Sequence, residues 1–227
     1  RCQGFDDYLS LALRREGSEF VHFINAITTN LTSFFRESHH FDFIKNIAIP
    51  EWISDTQRKK LRIWSAGSST GEEAYSIAIT LSGNIPKHWD AKILATDIDT
   101  NVVVKGQTGV YVEERLSNLS SKLVSKHFDK VAIDGATKMQ VRKSLRDITF
   151  FKPLNLLQDW PMTGLFEMIF CRNVVIYFDK PTQKILFNRF ADLLAPGGYL
   201  VIGHSESMYK LSDRFTSIGN TVYRKVK

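Results

Sequence analysis

The stretch that decides the fold is FEMIFCRNVVIYFD, residues 166–179, followed after one helical segment by LLAPGGYLVIG, residues 193–203. Its first six residues form a nearly continuous apolar run, the pattern of a strand buried on both faces of a sheet. Arg172 and Asn173 interrupt the run with a polar loop, and Asp179 followed by Pro181 marks a helix start. A Pro-Gly-Gly turn then leads into a second apolar run. Strand, polar loop, helix, turn and strand together make one unit of a doubly wound sheet. The polar loop falls beyond the carboxyl end of its strand, where such sheets hold ligands.

The same grammar extends toward the N-terminus. LRIWSA (61–66) reads as the first strand of the sheet, GSSTG (67–71) as a small-residue turn, and residues 72–81 as a helix. Ala74, Ile77, Ala78 and Leu81 form the inner face of that helix. AKILA (91–95) reads as the second strand and runs into Thr96 and Asp97. Small residues in the first turn let a ligand approach backbone amides at a helix N-terminus. Only Gly67 and Gly71 are present, whereas a dinucleotide fingerprint needs three glycines, and Glu72 and Glu73 would repel a phosphate. A ligand carrying an amine or a sulfonium suits these acids better, and both also complement the helix dipole. Asp97 is placed either to accept both hydroxyls of a ribose or to cap the next helix.

Residues 5–15 have helix composition up to Gly17, and Ser18 suits the cap of a second helix with an apolar stripe at Phe20, Phe23, Ile24 and Ile27. Residues 130–133 and 136–142 read as two strands around Asp134-Gly135, with residues 148–151 as a third β-like run. A small antiparallel insertion is therefore expected near 129–152. Residues 220–224 are expected to form an edge strand antiparallel to residues 199–203.

With 227 residues, 43% of them hydrophobic and 24% charged, the chain has the length and composition of one α/β core. No apolar run approaches the roughly 18 residues of a membrane span. The formal charge of +6 suits acidic partners, although the basic residues are dispersed. Cys2 and Cys171 are expected to be free thiols of a reducing cytosol. No Cys/His group has zinc spacing, and the adjacent His39 and His40 are not expected to share one helical face, so no metal is expected.

TTNLTSFFRE (28–37), IWSAGSSTGEEAYSIAITL (63–81), ILATDID (93–99), NLL (155–157), FCRNVVIYFD (170–179) and LAPGGYLVIGHSES (194–207) follow one another in a specific order. The set resembles the signature segments of S-adenosylmethionine-dependent methyltransferases, and among these the chemotaxis receptor methyltransferases of the CheR family. The resemblance implies a doubly wound class I α/β sheet with a small antiparallel β insertion and an N-terminal helical segment. It implies S-adenosyl-L-methionine as cofactor, with S-adenosyl-L-homocysteine as product. Asn30, Thr32, Arg36, Glu72, Asp97, Asn155, Leu156, Asn173 and Val174 fall on cofactor-binding positions, with Glu73 a close rival to Glu72. Arg36 and Tyr177 fall next to the transferred methyl group.

The implied substrate is the glutamate side chain on cytoplasmic helices of chemoreceptors, converted to a γ-methyl ester. Glutamate is already ionised at neutral pH, so such a reaction needs no general base. In some members of the family the β subdomain tethers the receptor's C-terminal tail, and Lys138, Arg142, Lys143 and Arg146 would give it a positive field. A cytoplasmic monomer that inserts into no membrane is expected. Residues 1–40 are expected to be a truncated N-terminal helical segment and linker, and 41–227 the methyltransferase domain. The alternatives are a cofactor-binding regulatory domain without turnover and a nucleic-acid methyltransferase. The second lacks support because residues 172–175 contain no Asp/Asn-Pro-Pro-aromatic loop, so no nucleic-acid partner is expected.

Overall fold

The computed structural model describes residues 4–12 and 18–226. The expected helix end at Gly17, the Cys2 thiol and the Ser18 cap lie outside what it describes. In chain order the elements begin with α1 (Phe5–Ala12), α2 (Ser18–Ile27) and α3 (His39–Phe43), which continues through a π-helical turn (Ile44–Ala48) into α4 (Ile49–Ser54). Then come β1 (Lys60–Ala66), α5 (Glu72–Leu81), β2 (Asp90–Asp97), α6 (Thr100–Thr108), β3 (Val110–Tyr111) and α7 (Ser121–His127). β4 (Phe128–Ile133), β5 (Ala136–Val141), α8 (Lys143–Arg146), β6 (Thr149–Pro153) and β7 (Phe166–Cys171) follow. The chain closes with α9 (Lys180–Leu193), β8 (Leu194–Ile202), β9 (Phe215–Gly219) and β10 (Val222–Lys225).

Seven strands form the main sheet in the order β6-β2-β1-β7-β8-β10-β9. The strands from β6 to β8 are parallel, and β10 and β9 add on antiparallel. The central strands read as apolar runs because both of their faces are covered. Ile63, Met168, Phe170, Tyr199 and Val201 pack on one side with Phe41, Ile44, Ala74 and Ile77. Trp64, Ile169, Cys171, Leu200 and Ile202 pack on the other with Leu186, Phe187 and Phe190 of α9. Asp179 starts α9 as expected, accepting a hydrogen bond from the Thr182 amide at 3.0 Å. Among the described residues no helix is long and apolar enough to cross a membrane.

Two expectations need correcting. The run at 148–151 does not belong to the antiparallel insertion: Thr149–Pro153 pairs parallel with β2 at the edge of the main sheet. Its Phe151 is buried against the closely approaching Gly71 and Gly106. The small sheet is instead completed by β3, in the order β3-β5-β4. Its hairpin is the expected one, with Asp134 and Gly135 both at positive φ between Ile133 and Ala136. The closing strand is not an edge either, because β9 lies outside β10.

Candidate active site

The strand order reverses between β1 and β7, and a cavity of about 460 Å³ opens at the carboxyl ends of β1, β2, β6 and β7. Both its position and its size are those of a cofactor site in a doubly wound sheet. Gly67 makes the closest approach. Its φ is 82°, and a Cβ there would lie 2.4 Å from Val174 Cγ2, so conformation and space both demand glycine.

Asp97, at the end of β2, accepts the Ser69 amide at 2.8 Å on Oδ2 and the Asp99 amide at 3.0 Å on Oδ1. These bonds aim the carboxylate and leave acceptor capacity on each oxygen. Burial raises the Asp97 carboxyl above its ordinary range, against the pull of the two amides. The cap of α6 is Asp99 rather than Asp97: its Oδ1 accepts the Asn101 amide at 2.9 Å. Asp99 also anchors the segment after α2, because Thr28 Oγ1 and Asn30 Nδ2 donate to its Oδ2 at 3.0 and 2.8 Å. Ser69 Oγ donates to the Asn30 carbonyl at 3.0 Å. Further along that segment, Arg36 donates from Nη1 to the Leu31 carbonyl at 2.8 Å.

The polar loop after β7 is held from two sides. Arg172 is buried and donates from Nη1 to Glu73 Oε2 at 3.1 Å, while its Nη2 donates to the Arg36 carbonyl and lies 3.4 Å from Glu37 Oε2. Ser65 Oγ donates to Glu73 Oε1 at 2.7 Å. Burial pushes the Glu73 carboxyl up, with Arg172 and Ser65 acting against it. On the other side, buried Glu206 accepts three backbone amides: Gly203 at 2.6 Å, Asn173 at 3.0 Å and Ile176 at 3.2 Å. This clamp holds Asn173 at φ 58° and fixes the turn leading to Tyr177.

Asn30, Thr32, Arg36, Asp97, Asn155, Leu156, Asn173, Val174 and Tyr177 all line this one cavity. Glu72 does not. It is buried beside Thr70, whose hydroxyl donates to it at 2.6 Å, and Arg115 lies 3.7 Å away. Glu73 takes its place on the wall. Adjacent helical residues point about 100° apart, so only one of the two acids faces the cavity. Sequence reasoning did not include Arg172, Ser69 or Glu206 among the site residues. The polar interruption of an apolar run marked Arg172, whereas Glu206 within HSES carried no comparable signal.

The rings of the two adjacent histidines lie with centroids 4.1 Å apart, His39 exposed and His40 buried. Burial pushes His40 down to about 4, helped by the Arg172 charge and opposed by a hydrogen bond to the Asn220 carbonyl. Burial works to raise the Glu37 carboxyl, but His204 and Arg172 outweigh it and hold it below its ordinary range.

Residues 30–224 match the family described as CheR methyltransferase, SAM binding domain. The chain is similar to a chemotaxis protein methyltransferase of Escherichia coli, 43% identical over 96% of this chain and 76% of that protein. It is 41% identical to a probable chemotaxis protein methyltransferase of Rhizobium etli, over 97% of this chain and 84% of that one. Chemotaxis protein methyltransferase 2 of Pseudomonas aeruginosa is 44% identical, over 98% of this chain and 79% of its own length.

Proposed function

The chain belongs to the CheR family of S-adenosylmethionine-dependent methyltransferases, and on that premise we propose that it esterifies glutamate side chains on the cytoplasmic helices of chemoreceptors. The observation that carries this reading is the convergence of polar groups from five separate segments on one cavity.

The wall chemistry fits S-adenosylmethionine. Asp97 offers oriented acceptors for a ribose, and Glu73 offers an anionic wall near a cationic group. Gly67 and Val174 make a close apolar floor, and Asn155, Leu156 and Asn173 complete the enclosure. Once bound, the cofactor supplies an electrophilic methyl group on a sulfonium.

The remaining work falls to the chain's own residues. A glutamate carboxylate is ionised at neutral pH and needs no base, so catalysis reduces to alignment. Arg36 is half-buried on the cavity wall, and a planar guanidinium orients a carboxylate bidentately. Tyr177, 64% exposed, can donate one hydrogen bond from the mouth. Ile27, Leu31, Leu157 and Ile176 are exposed near these two residues, and such a rim suits the apolar seams of a helical substrate. β4 is an open edge of the small sheet and suits an extended, acidic receptor tail. The reaction belongs to a cytoplasmic monomer.

Incubation with methyl-labelled cofactor and receptor cytoplasmic fragments tests the reading. The expected product carries label on the receptor and releases labelled methanol in mild alkali. Label that survives alkali, or no transfer at all, contradicts it.

A further inference from the structure

Behind the cavity wall, the turn into α3 brings Glu37, His39 and His40 together, with one donor atom from each within 4.8 Å of the others. His40 is fully buried, and its ring is fixed from one side. Its Nε2 lies 2.9 Å from the Asn220 carbonyl and 3.1 Å from Thr221 Oγ1. A carbonyl can only accept, and the Thr221 hydroxyl donates to that same carbonyl at 2.7 Å. Nε2 must therefore carry the proton, which leaves a lone pair on Nδ1. That atom is buried and has no hydrogen-bond partner.

The atom facing it is an acceptor too. Glu37 Oε2 lies 3.6 Å from His40 Nδ1, too far for a hydrogen bond and with no proton between them. Two lone pairs converging at this distance are what a shared cation requires. With a zinc ion about 2.0–2.1 Å from both atoms, their 3.6 Å separation gives a ligand–metal–ligand angle of about 120°, which a slight closure of the pair brings to tetrahedral. The backbone carbonyl on Nε2 is also the usual outer partner of a metal-bound imidazole.

We propose that Glu37, His39 and His40 form a binding site for a late first-row divalent cation, for which zinc is the natural probe. Imidazole and carboxylate donors favour zinc, nickel or cobalt over magnesium or calcium. His39 supplies the third ligand from the surface. His204, which is 68% exposed and donates from Nδ1 to Glu37 Oε1 at 2.9 Å, can turn to offer a fourth. Arg172 Nη2, 3.4 Å from Glu37, repels a cation and keeps the site a reversible one. Nothing in this assignment depends on the methyl transfer.

Chelator-treated full-length chain titrated with zinc chloride by calorimetry tests it, with cobalt(II) absorption reporting geometry. The expected result is one saturable site with a dissociation constant below about 100 µM and a tetrahedral cobalt spectrum. His39→Ala, at an exposed position, should weaken binding roughly tenfold or more, and Glu37→Gln should do the same. The proposal is overturned by the absence of saturable binding. It is equally overturned if both variants bind zinc as the unaltered chain does, which would move the metal to another histidine or cysteine.

Discussion

The inner wall of the cavity and its mouth are built on opposite plans. On and behind the inner wall the carboxylates already have partners: Glu73 with Ser65 and Arg172, Asp97 with two amides, and Glu206, behind the loop after β7, with three. At the mouth, Leu31 and Tyr177 are 75% and 64% exposed, and Ile27, Leu157 and Ile176 also face solvent. The inner wall is preorganised at the expense of folding energy, whereas the mouth is completed only by what docks there. Binding a small cofactor and receiving a large substrate are thereby separated along one cavity.

The harshest test of that contrast removes Arg172. Arg172→Leu leaves the buried Glu73 carboxylate without its cation and the half-buried Glu37 with His204 alone, and should cost about 3–5 kcal/mol in a denaturant titration. A loss under about 1 kcal/mol would mean the inner wall is not held by this pair. At the other end of the cavity, Arg36→Lys keeps the charge and loses the planar fork. Turnover should fall roughly a hundredfold while stability stays nearly unchanged. Near-normal turnover would reduce Arg36 to an electrostatic neighbour.

Acid probes the inner wall without a mutation. His40 titrates near 6.5 when unfolded but is held down to about 4 in the fold, so its folded-state pKa is depressed. The stability it contributes is complete above pH 6.5 and is lost as pH falls through 4. Glu37, also held low, works in the same direction. Denaturation at pH 7 and pH 4.5 should differ by on the order of 2 kcal/mol, with the acidic sample weaker. Equal midpoints would contradict the buried, neutral ring.

The smallest effect concerns the β4 edge. Its positive field is weaker than the sequence suggests, because Arg142 pairs with Asp129 at 3.2 Å and Lys143 with Asp147 at 2.7 Å. Deleting the hairpin is not a clean test, since Phe128, Met139 and Val141 belong to the main core. Titration of a labelled receptor tail peptide is cleaner. Saturation in the range of tens to hundreds of micromolar supports a tether, which raises local concentration without touching the chemistry. No saturation there removes it.

Much of this was legible in the sequence, for reasons that also explain the gaps. Strands β1, β2, β7 and β8 announce themselves as apolar runs because both faces are covered, and Asp134-Gly135 announces its turn. The pairing of β6 is not legible, because a parallel edge strand has no neighbouring turn to reveal its partner. β9 carries little sequence signal because its hairpin turns on Asn220 and Thr221, both at positive φ, where glycine is the usual marker. Asp97 and the loop after β7 could be placed by their positions at strand ends. Glu73 could not be separated from Glu72, because only the rotation of α5 against the sheet decides between neighbours. Glu206 stayed hidden because its partners are backbone amides, which leave no side-chain pattern.

The central claim, that the inner wall binds the cofactor and the mouth performs the transfer, is tested most directly by one paired calorimetric titration. S-adenosylhomocysteine would be titrated into Asp97→Ala and into Arg36→Lys. The account predicts a loss of roughly ten- to a hundredfold in affinity for Asp97→Ala, about 1.4–2.7 kcal/mol. It predicts a change within about threefold for Arg36→Lys, a difference well under 1 kcal/mol. Unchanged affinity in Asp97→Ala, together with a large loss in Arg36→Lys, would contradict it.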